Sequence, residues 1–390
     1  MNPKIRQHVD ECVQPCRVLH VIGAMDRGGA ETFIMNVYRS MDRSLVQFDF
    51  LVHEQRKCDY DDEILNLGGR LYRLPRFTGA NLSSYIRSCR NFFMRHHDFR
   101  AVHVHIGSCA VIVLREARKY GQYTIAHSHA TNSPDFSFAE MFYRVLSFPT
   151  RYLADQYLAC SMQAGIDRFG RKIVERGHFA VVENGIDTAQ YRFNATTRNA
   201  LRKSLGVNQN ETLFSHVGRF AEEKNHAFLI DIFNRIKQIH SNSKLVLVGR
   251  GPLECEIRQK VHDRGLSDSV FFLGVREDVP AILMASDAFL FPSKYEGFGI
   301  AALEAQATGL PCLLSDALPE VIRVLPNCSF MSLNKSSEIW ADEILNNISS
   351  ASSYSRIMAS DMVSQKGYDI KRTSVSLTNL YLYGQLGRKI

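Results

Sequence analysis

Residues 287–308, DAFLFPSKYEGFGIAALEAQAT, decide how the rest of the chain reads. Ala288, Phe289, Leu290 and Phe291 form a short apolar run, the length of a strand buried on both faces. Pro292, Ser293, Gly297 and Gly299 then mark a loop, and an alanine-rich helix starts near Gly299. Strand, glycine loop and helix start together present backbone N–H groups to an anion. Two carboxylates frame the loop. Glu296 lies on it and Glu304 lies inside the helix, so they are not a simple helix-face pair. Glu296 should project toward whatever occupies the helix N-terminus, and Glu304 toward a second polar group of the same ligand. An anionic centre flanked by two hydroxylated parts, as in a nucleotide diphosphate-sugar, fits that spacing. A solvated loop acid and a helix-surface acid fit it equally well.

The E-x7-E spacing after an FPS-x-x-E loop resembles the family 4 glycosyltransferases. Residues 288–315 look like the bacterial exopolysaccharide and capsule branch of that family. The resemblance implies an α/β protein of the GT-B fold, two Rossmann-like parallel-sheet domains facing across a cleft. The donor would be held by the second domain and the acceptor by the first.

Composition agrees with a two-domain globular chain. It has 390 residues, 45% of them hydrophobic, enough for two cores. The net charge of +7 favours anionic partners such as nucleotide diphosphates or acidic lipid and is too diffuse to argue nucleic acid. Nine scattered cysteines form no C-x-x-C pair, which suits a reducing cytoplasm. The polar N-terminus reads as no signal peptide, and no run of 18 apolar residues occurs, so membrane contact would be peripheral.

Outward from residues 287–308, strand and helix patterns alternate from Arg17 onward, the mark of parallel sheets with crossover helices. Strands are expected at 18–22, 48–52, 71–74, 102–106, 123–127 and 156–159 in a first domain. That domain spans 1–190 and is completed by a C-terminal helix at 374–390. Gly28 and Gly29 sit where a helix starts after the first strand, and backbone can approach a ligand there. A tight turn explains a lone GG as well, and the spacing is not that of a dinucleotide fingerprint. Asp59 and Asp61 form a D-x-D in a polar stretch opening a helix and read as helix N-terminal acids, not metal ligands. Two basic aromatic stretches, 82–97 and 138–152, could lie on an anionic membrane or be ordinary helices with solvated charge. His127 and His129 end a strand, where ligands of α/β sheets bind. A histidine there is also a common structural hydrogen-bonder. The HSHA match to the family singles out His129, which by resemblance lies near the C6 side of the donor sugar. The GGAE loop, by the same resemblance, faces the cleft near the diphosphate and the acceptor.

The Asn-Gly turn in VVENGIDTAQY, residues 181–191, resembles the family's hinge. The polar run 192–210 reads as linker and the first part of a second domain, 191–373. Strands are expected there at 212–217, 244–248, 271–273 and 288–291. Arg219 and Lys224 flank the loop after the 212–217 strand, where each could give a diphosphate a charge-assisted bond of roughly 1.5–3 kcal/mol. A surface pair of Lys224 with Glu222 or Glu223 is the plain alternative. By resemblance, backbone near Val275 holds the base. Arg250 stands where the family commonly has an acidic residue, which leaves the nucleotide open.

The resemblance implies a retaining hexosyl- or N-acetylhexosaminyltransferase of cell-surface polysaccharide synthesis, UDP-sugar favoured. Arg219, Lys224, Glu296 and His129 would be catalytic. Gly28, Gly29, Val275, Phe298, Gly299 and Glu304 would bind the donor. No cofactor or metal is expected, because cations and amide dipoles would take the leaving diphosphate. The acceptor would be a lipid-linked saccharide at the cytoplasmic face of the membrane. A nucleotide-sugar 2-epimerase of the same fold and a non-catalytic nucleotide-sugar-binding scaffold are the rival readings.

Overall fold

A computed structural model describes residues 14–105, 107, 109–129, 145–350 and 356–384. The chain divides into two compact units. The first holds the residues up to Gly185 and those from Ile370 onward, and the second is Ile186–Asp369.

The first unit is built on β1 (Cys16–Ile22), β2 (Val46–Val52), β3 (Leu71–Arg73), β4 (Ala101–Val104), β5 (Tyr123–Ser128), β6 (Gln156–Ala159) and β7 (Phe179–Val181). They pair in parallel in the order β3-β2-β1-β4-β5-β6-β7. Helices cover both faces, so β1, β2, β4 and β5 are almost wholly buried. Even Asp49 in β2 is buried, its carboxylate taken by Arg17 Nε at 2.7 Å.

The helix Ile370–Tyr383 belongs to this unit although the second lies before it in the chain. The chain turns into it through Gly367, whose φ of +99° suits only glycine. Arg100 then caps the helix end, donating from Nη2 to Leu382 O at 2.6 Å and from Nε to Tyr381 O at 3.1 Å. Residues 385–390 of the expected C-terminal helix lie outside the described residues.

The second unit carries β8 (Thr212–Val217), β9 (Ser243–Val248), β10 (Val270–Gly274), β11 (Ala288–Phe291), β12 (Cys312–Ser315) and β13 (Cys328–Met331). Their parallel order is β10-β9-β8-β11-β12-β13. β7, β12 and β13, each of three or four residues, were not foreseen.

Two expectations change on contact with the structure. Residues 192–210 are not a linker. A helix, Ala195–Ser204, packs into the second unit, and Arg198 and Arg202 grip Asp287 at 2.5 and 3.0 Å. Residues 186–190 pack with the second unit, not the first. Ile186 bridges to Asp369, and Thr188 Oγ1 donates to the Asp369 carboxylate at 2.7 Å. In the helix Leu82–Arg95, Phe92 and Phe93 point into the core, while Arg87, Arg90 and Arg95 stand exposed with Met94. That helix is amphipathic, with its basic residues on the exposed face. Of the other basic aromatic stretch, residues 138–144 lie outside the described residues.

Candidate active site

In the second unit the strand order reverses between β8 and β11, because the crossovers leave to opposite sides of the sheet. A crevice opens beyond the carboxyl ends of two such strands and is where α/β sheets bind ligands. The loop 218–225 leaves β8 there, and the loop 292–299 leaves β11.

Lys224 Nζ pairs with Glu296 Oε1 across these loops, with side chains only 17% and 12% exposed. Nζ also lies 4.9 Å from the centre of the Phe291 ring. Lys224 therefore pairs with neither Glu222 nor Glu223. Glu222 pairs instead with Lys294, whose N–H donates to Glu223 O at 2.8 Å. The loop turns into the helix His226–Ile239 at Asn225, whose φ of +55° is left-handed and tolerable to asparagine. Arg219 is exposed and has no ion-pair partner among the described residues.

The loop after β9 braces this one. A Cβ on Gly249 would sit 2.1 Å from Gly218 O, and one on Gly251 2.3 Å from Phe220 O. Gly218 N–H donates to Val248 O at 2.9 Å, and Phe220 N–H to Arg250 O at 3.1 Å. The sequence reading gave Gly249 and Gly251 no role. Their work is to let two backbones touch.

Behind the loop His216 donates from Nδ1 to Leu290 O at 2.9 Å. Burial pushes its imidazole down to about 4 and that of His226 to about 2, with the charge of Lys224 adding to both. Both rings are neutral at ordinary pH, which leaves Lys224 and Arg219 as the cations of this loop.

Glu304 is the only ionisable residue of the helix Ile300–Ala307 and is 7% exposed. Burial raises its carboxyl to about 7, against a smaller opposing effect from the Tyr191 hydrogen bond. Neither Glu296 nor Glu304 is thus a solvated surface acid. Gly299 caps that helix with φ +86°. The amides of Phe298 and Gly299 precede the helix's Ala302 N–H to Gly299 O bond. The Phe298 ring itself is buried against Tyr368, centroids 5.7 Å apart. Val275 follows β10, two strands from β8. The sheet brings it to the same carboxyl end but not to the Lys224–Glu296 pair.

In the first unit Gly28 caps the helix Gly29–Ser40. A Cβ on Gly29 would meet nothing within 4 Å, so sterics within the unit do not demand glycine there. The D-x-D is structural. Asp61 is buried against Arg73 Nη2 at 2.5 Å, and Asp59 accepts from Arg27 N–H at 3.2 Å.

His129 is not alone. His20, His103, His105, His127 and His129 come from β1, β4, β5 and the residues that follow them, on one face of the sheet. His105 Nδ1 lies 2.7 Å from His129 Nε2, and His103 Nε2 lies 3.1 Å from His127 Nδ1. Two triads, His20–His103–His105 and His105–His127–His129, have ring nitrogens within 4.8 Å, near enough in principle for a cation. Nitrogens sharing a tetrahedral zinc would stand roughly 3.3 Å apart, given a zinc–nitrogen length of about 2.0 Å. The closer pairs here are hydrogen bonds between rings. Sequence reasoning weighed His127 and His129 and missed the other three. The signal was present as H-x-H twice, at 103–105 and 127–129, since two-residue spacing puts both rings on one strand face.

Comparison with known proteins agrees with this geometry. Residues 27–190 match the model described as Glycosyltransferase Family 4, and residues 197–346 that described as Glycosyl transferases group 1. The chain is 36% identical over 370 residues to the putative glycosyltransferase EpsF of Bacillus subtilis (strain 168), covering 94% of this chain and 96% of that one. It is 35% identical over 140 residues to an Escherichia coli UDP-Gal:alpha-D-GlcNAc-diphosphoundecaprenol alpha-1,3-galactosyltransferase, 35% of this chain and 36% of that one. Among solved structures, Anabaena HepE in complex with UDP and glucose superposes with a TM-score of 0.78 at 20% identity, covering 93% and 98% of the two chains. WaaG, a glycosyltransferase involved in lipopolysaccharide biosynthesis, superposes at 0.73 with 15% identity over 94% and 100%. These likenesses give the fold as GT-B.

Proposed function

The chain belongs to the family 4 glycosyltransferases, and from that premise we propose that it is a retaining enzyme drawing on a UDP-sugar. It moves a hexosyl or N-acetylhexosaminyl group to a hydroxyl of a lipid-linked or growing surface polysaccharide. The Escherichia coli relative named for a diphosphoundecaprenol-linked substrate supports that acceptor class. The acceptor would be met at the cytoplasmic face of the membrane. Among the described residues no helix is long and apolar enough to cross one.

The observation that carries this reading is the half-buried Lys224–Glu296 pair at the reversal point of the second sheet, with Arg219 on the same loop and without an ion-pair partner among the described residues. Breaking the anomeric bond puts charge on the departing diphosphate, so stabilising that charge is the main catalytic task. Lys224 and Arg219 supply cations, and the Phe298 and Gly299 amides supply dipoles at a helix start. Gly28 and Gly29 offer further amides. With the diphosphate on Lys224, Glu296 is freed to orient the sugar. Glu304 accepts from the ribose, Val275 backbone meets the base, and His129 meets the sugar's C6 side. No metal is required by this scheme.

The test is purified protein with a panel of UDP- and GDP-sugars and a diphosphoundecaprenol-linked acceptor, reading nucleotide release and product. Lys224→Ala should lower turnover roughly 10²–10³-fold, the cost of one transition-state donor. Transfer undiminished by that substitution, or abolished by chelator, would refute the scheme. Sugar interconversion without acceptor would instead favour an epimerase.

A further inference from the structure

The donor-binding scheme uses His129 and leaves His20, His103 and His105 without a task. Burial holds all of them far below the ordinary imidazole value, His20 and His129 at about 3. They are therefore neutral, and a neutral imidazole has one N–H and one lone pair. Each ring-to-ring bond consumes one of each, so the direction of one bond sets the direction of every other in the chain.

One chain runs from His20 Nδ1 to His105 Nε2 at 2.9 Å and from His105 Nδ1 to His129 Nε2 at 2.7 Å. Its ends, His20 Nε2 and His129 Nδ1, are buried atoms without a partner among the described residues. One end must carry a hydrogen and the other a lone pair. The His20 ring packs on Phe48, centroids 4.0 Å apart, and near Phe50 at 5.7 Å. An N–H at His20 Nε2, in a ring packed on phenylalanine, would never find an acceptor, whereas one at His129 Nδ1, in a residue only half-buried, would meet an oxygen of the bound sugar. The lone pair therefore sits at His20 Nε2, and the free N–H sits at His129 Nδ1.

A second chain runs beside it. The Tyr381 hydroxyl lies 2.8 Å from His103 Nδ1, and His103 Nε2 lies 3.1 Å from His127 Nδ1. The two rings at the end of β5 stack 4.1 Å apart. Phe33 packs against both, 5.6 Å from each.

We propose that His20 and His105 are positioning residues that lock His129 as a neutral imidazole with its Nδ1–H free. His129 is then a hydrogen-bond donor to an oxygen of the bound sugar and not a general base. The inference rests on the reading above that His129 meets the donor sugar.

The test is nitrogen NMR of the full chain carrying 15N-histidine, with the His129 signals assigned by their loss in His129→Asn. Ring nitrogen shifts distinguish the two tautomers without reference to activity. The wild type should show His129 with Nδ1 protonated. His105→Leu should turn it into a tautomer mixture and lower kcat roughly tenfold to hundredfold, the cost of a misplaced group, with donor KM little changed. His105→Gln, whose carboxamide can donate to Nε2, should restore the single tautomer. Wild-type His129 protonated at Nε2, or a tautomer unmoved by His105→Leu, overturns the proposal. If the tautomers behave as expected while no sugar is transferred, the transferase reading falls and the lock stands.

Discussion

Replacing Glu304 by glutamine should stabilise the second unit and weaken its hold on the donor at the same time. The buried carboxyl keeps its proton up to about pH 7, whereas an unfolded glutamate releases its proton near 4.5. Between those values the folded chain binds more protons than the unfolded one, so stability falls as pH rises, and the whole penalty is in place above 7. At about 1.4 kcal/mol per pH unit the penalty approaches about 3 kcal/mol. Glutamine has the same shape and no charge, and can still accept from Tyr191. Burying its amide takes back part of the gain, leaving roughly 1–3 kcal/mol at pH 8. That is a rise of several degrees in Tm for a unit of this size. At pH 5 the folded carboxyl is already neutral, and the two proteins should melt much closer together. The cost falls on ligand binding. A neutral acceptor replaces a charged one against the ribose hydroxyls, losing roughly 1.5–3 kcal/mol, or tenfold to hundredfold in UDP affinity. Thermal unfolding at pH 5 and pH 8 with calorimetric titration of UDP measures both arms. A variant less stable than wild type at pH 8, or one binding UDP as well as wild type, would refute the burial argument or the ribose contact respectively.

Other substitutions separate binding from folding. Arg219→Ala should leave Tm unchanged, because the side chain is exposed and has no ion-pair partner among the described residues, yet weaken UDP about tenfold by titration. Gly249→Ala should cost ~2–4 kcal/mol in urea unfolding, since its Cβ would press on Gly218 O at 2.1 Å with φ at +136°. Gly29→Ala, which meets open space, should be nearly neutral to stability. Asp287→Ala strands Arg202, whose side chain is 1% exposed, and should destabilise by ~3–5 kcal/mol in the same urea assay.

Much of this protein is local in origin. The apolar run 288–291 had to be a buried strand, and the alternation of such runs with helical periodicity required parallel sheets. The left-handed turns fell where glycine or asparagine allowed them. β7, β12 and β13 escaped although they span three or four residues, as β3 and β11 do, and their identity as strands comes from pairing with a neighbour's edge. What the sequence could not set is which side chains meet. Lys224 stands next to Glu223 in the chain but pairs with Glu296 because β8 and β11 are neighbours in the sheet. Five histidines spread from position 20 to 129 form two hydrogen-bonded chains only because β1, β4 and β5 lie side by side in register. The polar run 192–210 reads as linker by composition and is a helix because Asp287 offers its arginines a carboxylate. Composition and periodicity act over a few residues, so they specify elements. Charge pairing and burial act across the sheet, so the tertiary fold alone decided the site's electrostatics.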